Sequence, residues 1–173
     1  MANTTFSGPV RSEDGFDVVS KSSTTGAFTT EFSLDGSGLQ VTPVTFSDAD
    51  TTLTATANSG RINVVPAITG NRTLTLPSPT AGIWFRFVYG GAAEEAQNLI
   101  FDTGSDTNFF IGGIVHMDSN ADNVSVYADG NSNSTLTLTD FGIFEINILA
   151  KDSTNWIIWG YQEGADVPAF ADQ

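Results

Sequence analysis

His116 is the only histidine in the chain, so any serine-type catalytic triad would have to use it as its base. No Gly-x-Ser-x-Gly sequence presents a serine, and the nearest serine, Ser119, lies in a turn sequence. The chain has no cysteine, which excludes thiolate nucleophiles, disulfides and cysteine-based zinc sites. A lone histidine at a strand end is more often structural than catalytic, so we expect neither a triad nor a metal site here.

The segment 99–105 reads Leu-Ile-Phe-Asp-Thr-Gly-Ser and resembles the active-site loop of aspartic proteases. That chemistry needs two such loops, because two carboxylates must share one proton across a water molecule. The chain has a single Asp-Thr-Gly sequence, so a symmetric dimer would be required, and the segment 110–113 follows too closely to leave room for a flap. We therefore interpret Asp102, Thr103 and Gly104 as a turn that ends a strand.

The segment Asp118–Asp122 places acidic and amide side chains with the spacing of a calcium-binding loop, and Asp129 falls at the last ligand position. Asn123 stands where such loops carry glycine, Asp129 replaces the usual glutamate, and strands rather than helices flank the segment. We interpret it as a polar turn between strands, with weak cation binding as the alternative.

Carboxylate pairs and aromatic residues could together serve glycoside chemistry or sugar binding. The pair Glu94 and Glu95 lies in a Gly/Ala loop, and Glu145 alternates on the polar face of a strand, so neither is placed as a buried acid. The aromatic residues that could form a sugar platform also have the period-two spacing of packed strands, which favours a core role; they are Trp84, Trp156, Trp159 and Tyr161. We expect no enzymatic activity and no cofactor.

The charge balance limits the partners of the chain. Six basic and twenty acidic residues give a formal net charge of −14, which repels nucleic acid and anionic membranes. No apolar stretch reaches the roughly 20 residues that a membrane-spanning helix needs. The opening Met1–Thr5 lacks the basic and apolar regions of a signal peptide, so we expect synthesis in a cytoplasm and use without Sec export.

The elements that must position these residues are strands. Alternation with period two is clear at residues 83–89, 135–139 and 144–148, and turn sequences recur every 8–12 residues. No stretch shows a sustained helical period. The pattern predicts an all-β protein, an antiparallel β-sandwich or jelly roll with an extended N-terminal arm.

The composition divides the chain into three parts. Residues 1–25 form the predicted arm, residues 26–60 form short strands leading into the sandwich, and residues 61–173 form the sandwich or jelly-roll domain. The arm and the start of the next part carry spaced apolar and basic side chains that we predict contact a partner: Phe6, Val10, Arg11, Phe16, Lys21 and Phe28.

The first sixteen residues, Met-Ala-Asn-Thr-Thr-Phe-Ser-Gly-Pro-Val-Arg-Ser-Glu-Asp-Gly-Phe, resemble the start of small virion proteins of tailed phages, marine ones especially. Three later segments are similar to the same group: Asn71–Pro77, Ala81–Ile83 and Asn155–Tyr161. The resemblance carries no catalytic motif. It implies a virion protein on the capsid surface that binds the major capsid protein, with a homo-oligomer, a trimer by preference, as its assembly state.

Two functions follow from these expectations. The first is a capsid decoration or cement protein that stabilises the phage head through its arm. The alternative is a tail-fibre or tail-tip adhesin domain that binds host glycan without enzymatic activity, and it requires aromatic residues clustered on one exposed face.

Overall fold

The computed structural model describes residues 16–35, 38–118 and 123–173. Fifteen strands and one short helix lie within these residues, and the chain divides into two compact units, Met1–Thr42 and Pro43–Gln173. The division drawn from composition placed its boundaries after residues 25 and 60; in the structure the boundary follows Thr42.

The elements are β1 (Phe16–Lys21), β2 (Phe28–Asp35), β3 (Gly38–Val41), β4 (Val44–Thr45), β5 (Thr51–Thr52), α1 (Ala55–Asn58), β6 (Ile62–Val65), β7 (Arg72–Thr75), β8 (Trp84–Tyr89), β9 (Leu99–Asp102), β10 (Phe109–Asp118), β11 (Val124–Asp129), β12 (Thr135–Leu138), β13 (Phe141–Ala150), β14 (Asn155–Gly164) and β15 (Ala169–Ala171).

The N-terminal unit is an antiparallel sheet of three strands in the order β1-β2-β3. A β-bulge between Val18 and Val19 shifts the register of β1 against β2. Strand β1 occupies residues that composition alone assigned to an extended arm, so part of the predicted arm is paired in a sheet.

The second unit contains two sheets. The seven-stranded sheet has the order β11-β10-β14-β13-β8-β6-β4, and the five-stranded sheet has the order β15-β12-β9-β7-β5. From β4 to β9 the chain passes alternately to one sheet and then the other, and successive strands within each sheet are parallel. Later strands pair mostly antiparallel, with a ten-residue parallel pairing of β10 and β14 as the exception.

The two sheets enclose one hydrophobic core. Phe101 of the five-stranded sheet packs edge-on against Phe87 and Phe144 of the other sheet, with ring centroids 5.0 and 6.2 Å apart. All three rings are at most 1% exposed. The expected all-β sandwich is therefore confirmed. Its parallel pairs were not visible in the sequence, because side chains alternate with period two in either strand direction.

In the part of the chain that the structure describes, no helix has the length and apolar character to cross a membrane.

Candidate functional site

Three of the predicted partner-binding residues lie in the N-terminal sheet. Phe16 begins β1, Lys21 ends it, and Phe28 begins β2. Lys21 and Phe28 are register partners, and the Lys21 Nζ atom lies 5.4 Å from the centroid of the Phe28 ring, a cation–π geometry. The other three predicted residues, Phe6, Val10 and Arg11, lie outside the described residues.

One face of the N-terminal sheet is apolar and exposed. Register pairing and alternation place five side chains on this face, each 46–67% exposed; they are Phe16, Val18, Val19, Phe28 and Leu34, and we call them the N-terminal apolar face. The bulge matters because it puts two successive valines on the same side of the strand. Asp17 and Ser33 pair on the opposite face, which is polar.

The described side chains of this unit form no buried core. No residue from 16 to 42 whose exposure the structure describes is buried. A three-stranded sheet needs a packed hydrophobic face to be stable in water. The N-terminal apolar face would therefore be stabilised by a second surface that packs against it.

The Asp-Thr-Gly segment is a turn between β9 and β10. Asp102 Oδ1 accepts a hydrogen bond from the Gly104 amide at 2.6 Å, and Gly104 has a φ of +77°. The buried Thr103 hydroxyl lies 2.8 Å from the Ser105 carbonyl oxygen and 3.0 Å from that of Asn108. These contacts give the segment a structural role.

Glu94 and Glu95 bind separate parts of the backbone instead of forming a catalytic pair. Glu94 Oε1 accepts from the Ala165 amide at 2.7 Å. Glu95 Oε1 accepts from the Tyr89 hydroxyl and from the Ile68 amide. Burial, followed by the contact with Glu95, raises the pKa of Tyr89 well above its usual range.

Asp129, the last position of the suspected calcium loop, caps a turn. One of its carboxylate oxygens accepts from the amides of Asn131, Ser132 and Asn133 at 2.9–3.1 Å. The hydrogen bonds from Ser132 contribute most to holding the pKa of Asp129 well below its usual range. Residues 119–122 lie outside the described residues, and within the described part no cluster of three or more metal-ligating side chains occurs.

His116 is part of the interior. Its ring is fully buried, its Nε2 atom lies 2.9 Å from the Gly164 carbonyl oxygen, and its register partner Gln162 is also buried. Nothing in this arrangement presents the imidazole to a substrate.

The aromatic residues separate into two groups. Trp156 is fully buried in the core, as the strand pattern predicted. Trp84 and Trp159 are 42% and 47% exposed, and Tyr161, two residues after Trp159 on β14, is partly exposed. These three lie on the outer face of the seven-stranded sheet, because their neighbours in each strand face the core. The core role that the period-two spacing favoured for them is therefore wrong.

Polar side chains accompany the aromatic residues on that outer face. Asn147 pairs with both Trp159 and Arg86 in the strand register, and Glu145 pairs with Tyr161. Glu145 accepts from Arg86 Nη2 at 3.0 Å and from Asn147 Nδ2 at 3.2 Å. The hydrogen bond from Asn147 contributes most to lowering the pKa of Glu145. The hydrogen bond and the positive charge of Arg86 lower this pKa further, which favours the ionised carboxylate.

These residues border a shallow, open groove of about 640 Å³. We call it the sheet groove; it is lined by Gly113, Val115, Met117, Glu145, Asn147, Trp159, Gly160 and Tyr161. At its edge Tyr127 is 72% exposed and packs against the backbone of Gly113, where a Cβ atom would lie 2.8 Å from the tyrosine ring. The tryptophans and Tyr161 could be recognised from the sequence as candidate sugar-contacting residues, but Tyr127 could not, because the pairing of β11 with β10 cannot be inferred from the local sequence.

No model of a known protein family matches the chain, and a search of the curated proteins finds no match to it. Two surfaces of the described residues have the features of binding sites, the N-terminal apolar face and the sheet groove.

Proposed function

We propose that this protein is a non-catalytic structural protein of a phage virion, which binds the outer surface of the capsid as a decoration or cement protein. The observation that carries the proposal is the N-terminal apolar face. The resemblance of the first sixteen residues to small tailed-phage virion proteins supplies the partner, the major capsid protein.

The N-terminal apolar face has the composition of a protein-binding surface. Phe28 is 67% exposed and Leu34 is 47% exposed, and such side chains gain about 25 cal/mol for each Å² of apolar area that a partner covers. Exposed, contiguous apolar patches on soluble proteins mark interaction sites. The polar opposite face, with Asp17 and Ser33, fits a sheet that is covered on one side and solvated on the other.

The rest of the chain suits assembly in many copies. The sandwich has its own core and needs no disulfide, so it can fold in a reducing cytoplasm. The net charge of −14 opposes binding to nucleic acid and keeps free copies soluble. We propose a homo-oligomer, a trimer by preference, on the capsid surface.

A non-enzymatic role is consistent with the contacts of the acidic and histidine side chains. Asp102 and Asp129 hold turns, and Glu94 and Glu95 hold a loop to the sandwich. His116 is enclosed in the interior. Each of these five side chains thus has a structural contact.

A binding assay on the N-terminal apolar face tests the proposal. Capsids that lack the protein are mixed with the full chain, sedimented, and assayed for bound protein. The double variant Phe28→Ser and Leu34→Ser should reduce binding at least tenfold. The matched control, Asp17→Asn with Ser33→Ala, changes the opposite face of the same strands and should bind like the unaltered chain.

Equal binding by the two double variants would overturn the proposal. The copy number in purified virions separates the head from the tail. A number comparable to that of the major capsid protein supports decoration, whereas a number matching the few subunits of a tail assembly favours the adhesin alternative.

A further inference from the structure

The sheet groove combines two kinds of side chain in one place. Trp159 and Tyr161 present aromatic surface from β14, and Asn147 and Glu145 present amide and carboxylate groups from the neighbouring β13. Gly113 and Val115 of β10 border the other side. Because adjacent strands lie about 4.8 Å apart, the aromatic and polar groups can contact one small molecule at the same time.

We propose that the sheet groove binds a neutral oligosaccharide. A pyranose ring has an apolar face of C–H groups and a rim of hydroxyl groups. The electron-rich face of an indole or phenol ring attracts the C–H groups, whereas amide and carboxylate groups exchange hydrogen bonds with the hydroxyls. The groove offers both, and its openness to solvent suits a chain of several sugars.

The electrostatics of the groove favour an uncharged ligand. Arg86 and Glu145 neutralise each other through the 3.0 Å contact between their side chains. The chain as a whole carries a net charge of −14, which repels uronate, sulfate and phosphate groups. A neutral glycan meets no such repulsion.

A protein partner fits the groove less well. Charged residues are depleted at the centre of stable protein–protein interfaces, and here Asn147 lies opposite Trp159 and binds Glu145, which pairs with Arg86. Covering this network with an apolar surface would also remove it from water. A hydroxyl-rich ligand replaces the lost water with hydrogen bonds.

The experiment measures binding of the full chain to immobilised hexasaccharides by biolayer interferometry. The neutral probes are cellohexaose, laminarihexaose and mannohexaose, and the acidic probe is hexaguluronate. We expect at least one neutral probe to bind with a dissociation constant at or below about 1 mM, with no binding of hexaguluronate. Trp159→Ala and Asn147→Ala should each weaken that binding at least tenfold.

Trp84→Ala is the matched control, because Trp84 is an exposed tryptophan on the same face but does not line the groove. It should change affinity less than twofold. Failure of every neutral probe to bind, a preference for hexaguluronate, or equal losses in the two tryptophan variants would overturn the proposal. A change of oligomeric state in Trp159→Ala, seen by gel filtration, would also overturn it and assign the groove to a second copy of the chain.

Discussion

Asn58 Nδ2 donates a hydrogen bond to Asn63 Oδ1 at 3.1 Å inside the sandwich, where the two residues are 6% and 0% exposed. Asn63 Nδ2 in turn lies within hydrogen-bond distance of the carbonyl oxygens of Asn58, Arg61 and Arg86, at 3.1, 3.2 and 3.3 Å. This network joins α1 to β6 and β8 at the point where the chain passes between the sheets. The polar atoms of both buried side chains thus have hydrogen-bond partners, as buried polar groups in folded proteins generally do.

Replacement of Asn63 by alanine removes the donor and acceptor together and leaves the buried partner groups unpaired. We expect Asn63→Ala to lower the free energy of unfolding by about 2 kcal/mol or more. Chemical denaturation of the full chain measures this loss. Asn131→Ala, an exposed turn position, is the control and should stay within about 0.5 kcal/mol. Similar losses in the two variants would show that the network contributes nothing specific.

Local alternation predicted strands well where one face is buried. Residues 83–89 alternate with period two in the sequence, and Phe85 and Phe87 are indeed buried. Trp156 was likewise expected in the core, and these predictions succeeded because burial acts on each strand separately with period two. The same expectation was wrong for Trp84, Trp159 and Tyr161, because period-two spacing does not say which of the two faces of a strand is buried.

Properties that depend on strand neighbours were not predictable in this way. The parallel order of β4, β6 and β8 cannot be inferred from the sequence of each strand, and neither can the pairing that brings Tyr127 beside Gly113. The bulge in β1 makes the N-terminal face apolar although successive valines break the alternation. The clustering of aromatic residues on one exposed face could therefore be recognised only from the structure.

The contact of Phe101 with Phe87 and Phe144 joins the two sheets, which leads to a second prediction. Phe101→Ala should leave a cavity between the sheets and lower the free energy of unfolding by about 3–5 kcal/mol. Urea denaturation followed by tryptophan fluorescence measures the change. The control is Ile143→Ala, because Ile143 is 58% exposed and its truncation opens no cavity. A loss in Phe101→Ala no larger than in the control would contradict the inter-sheet core.

Asp48 predicts how stability depends on pH. The hydrogen bond from Arg72 Nε, 2.7 Å from Asp48 Oδ1, followed by one from Thr69, lowers the pKa of Asp48 to about 2. Because the pKa in the folded state is below the unfolded value of about 3.9, this contribution is present above pH ~4 and is lost as the pH falls towards 2. We expect the unfolding midpoint to fall across that window.

Asp48→Asn should flatten the pH profile between 4 and 2, since the amide does not titrate. Thermal unfolding at several pH values measures the slope. Asp106→Asn, an exposed loop substitution, is the control and should leave the slope unchanged. Identical profiles for the two variants would show that the Asp48–Arg72 pair does not contribute to the acid dependence.

Gly113 lets β11 approach β10 closely. A Cβ atom at this position would lie 2.3 Å from the Val126 carbonyl oxygen, so Gly113→Ala must separate the two strands. We expect amide hydrogens of Val124–Asp129 to exchange at least tenfold faster, with β13 and β14 unaffected. Gly70→Ala is the control, because the three atoms nearest to its Cβ atom would all belong to the Arg72 side chain, at 3.2 Å or more, and none to the backbone. Unchanged exchange in β11 would contradict the close pairing.

Deletion of residues 1–42 tests whether the second unit folds by itself. The residues of the hydrophobic core cluster lie between Leu53 and Ile158, so the deletion removes none of them. We expect Pro43–Gln173 to keep its β-sheet circular dichroism and a cooperative thermal transition. A deletion of residues 1–25 gives the comparison, because it removes β1 and leaves β2 with β3. Loss of the cooperative transition in the longer deletion would mean that the sandwich depends on the N-terminal unit for its stability. If the transition survives and capsid binding disappears in both deletions, folding lies in the second unit and attachment in the first.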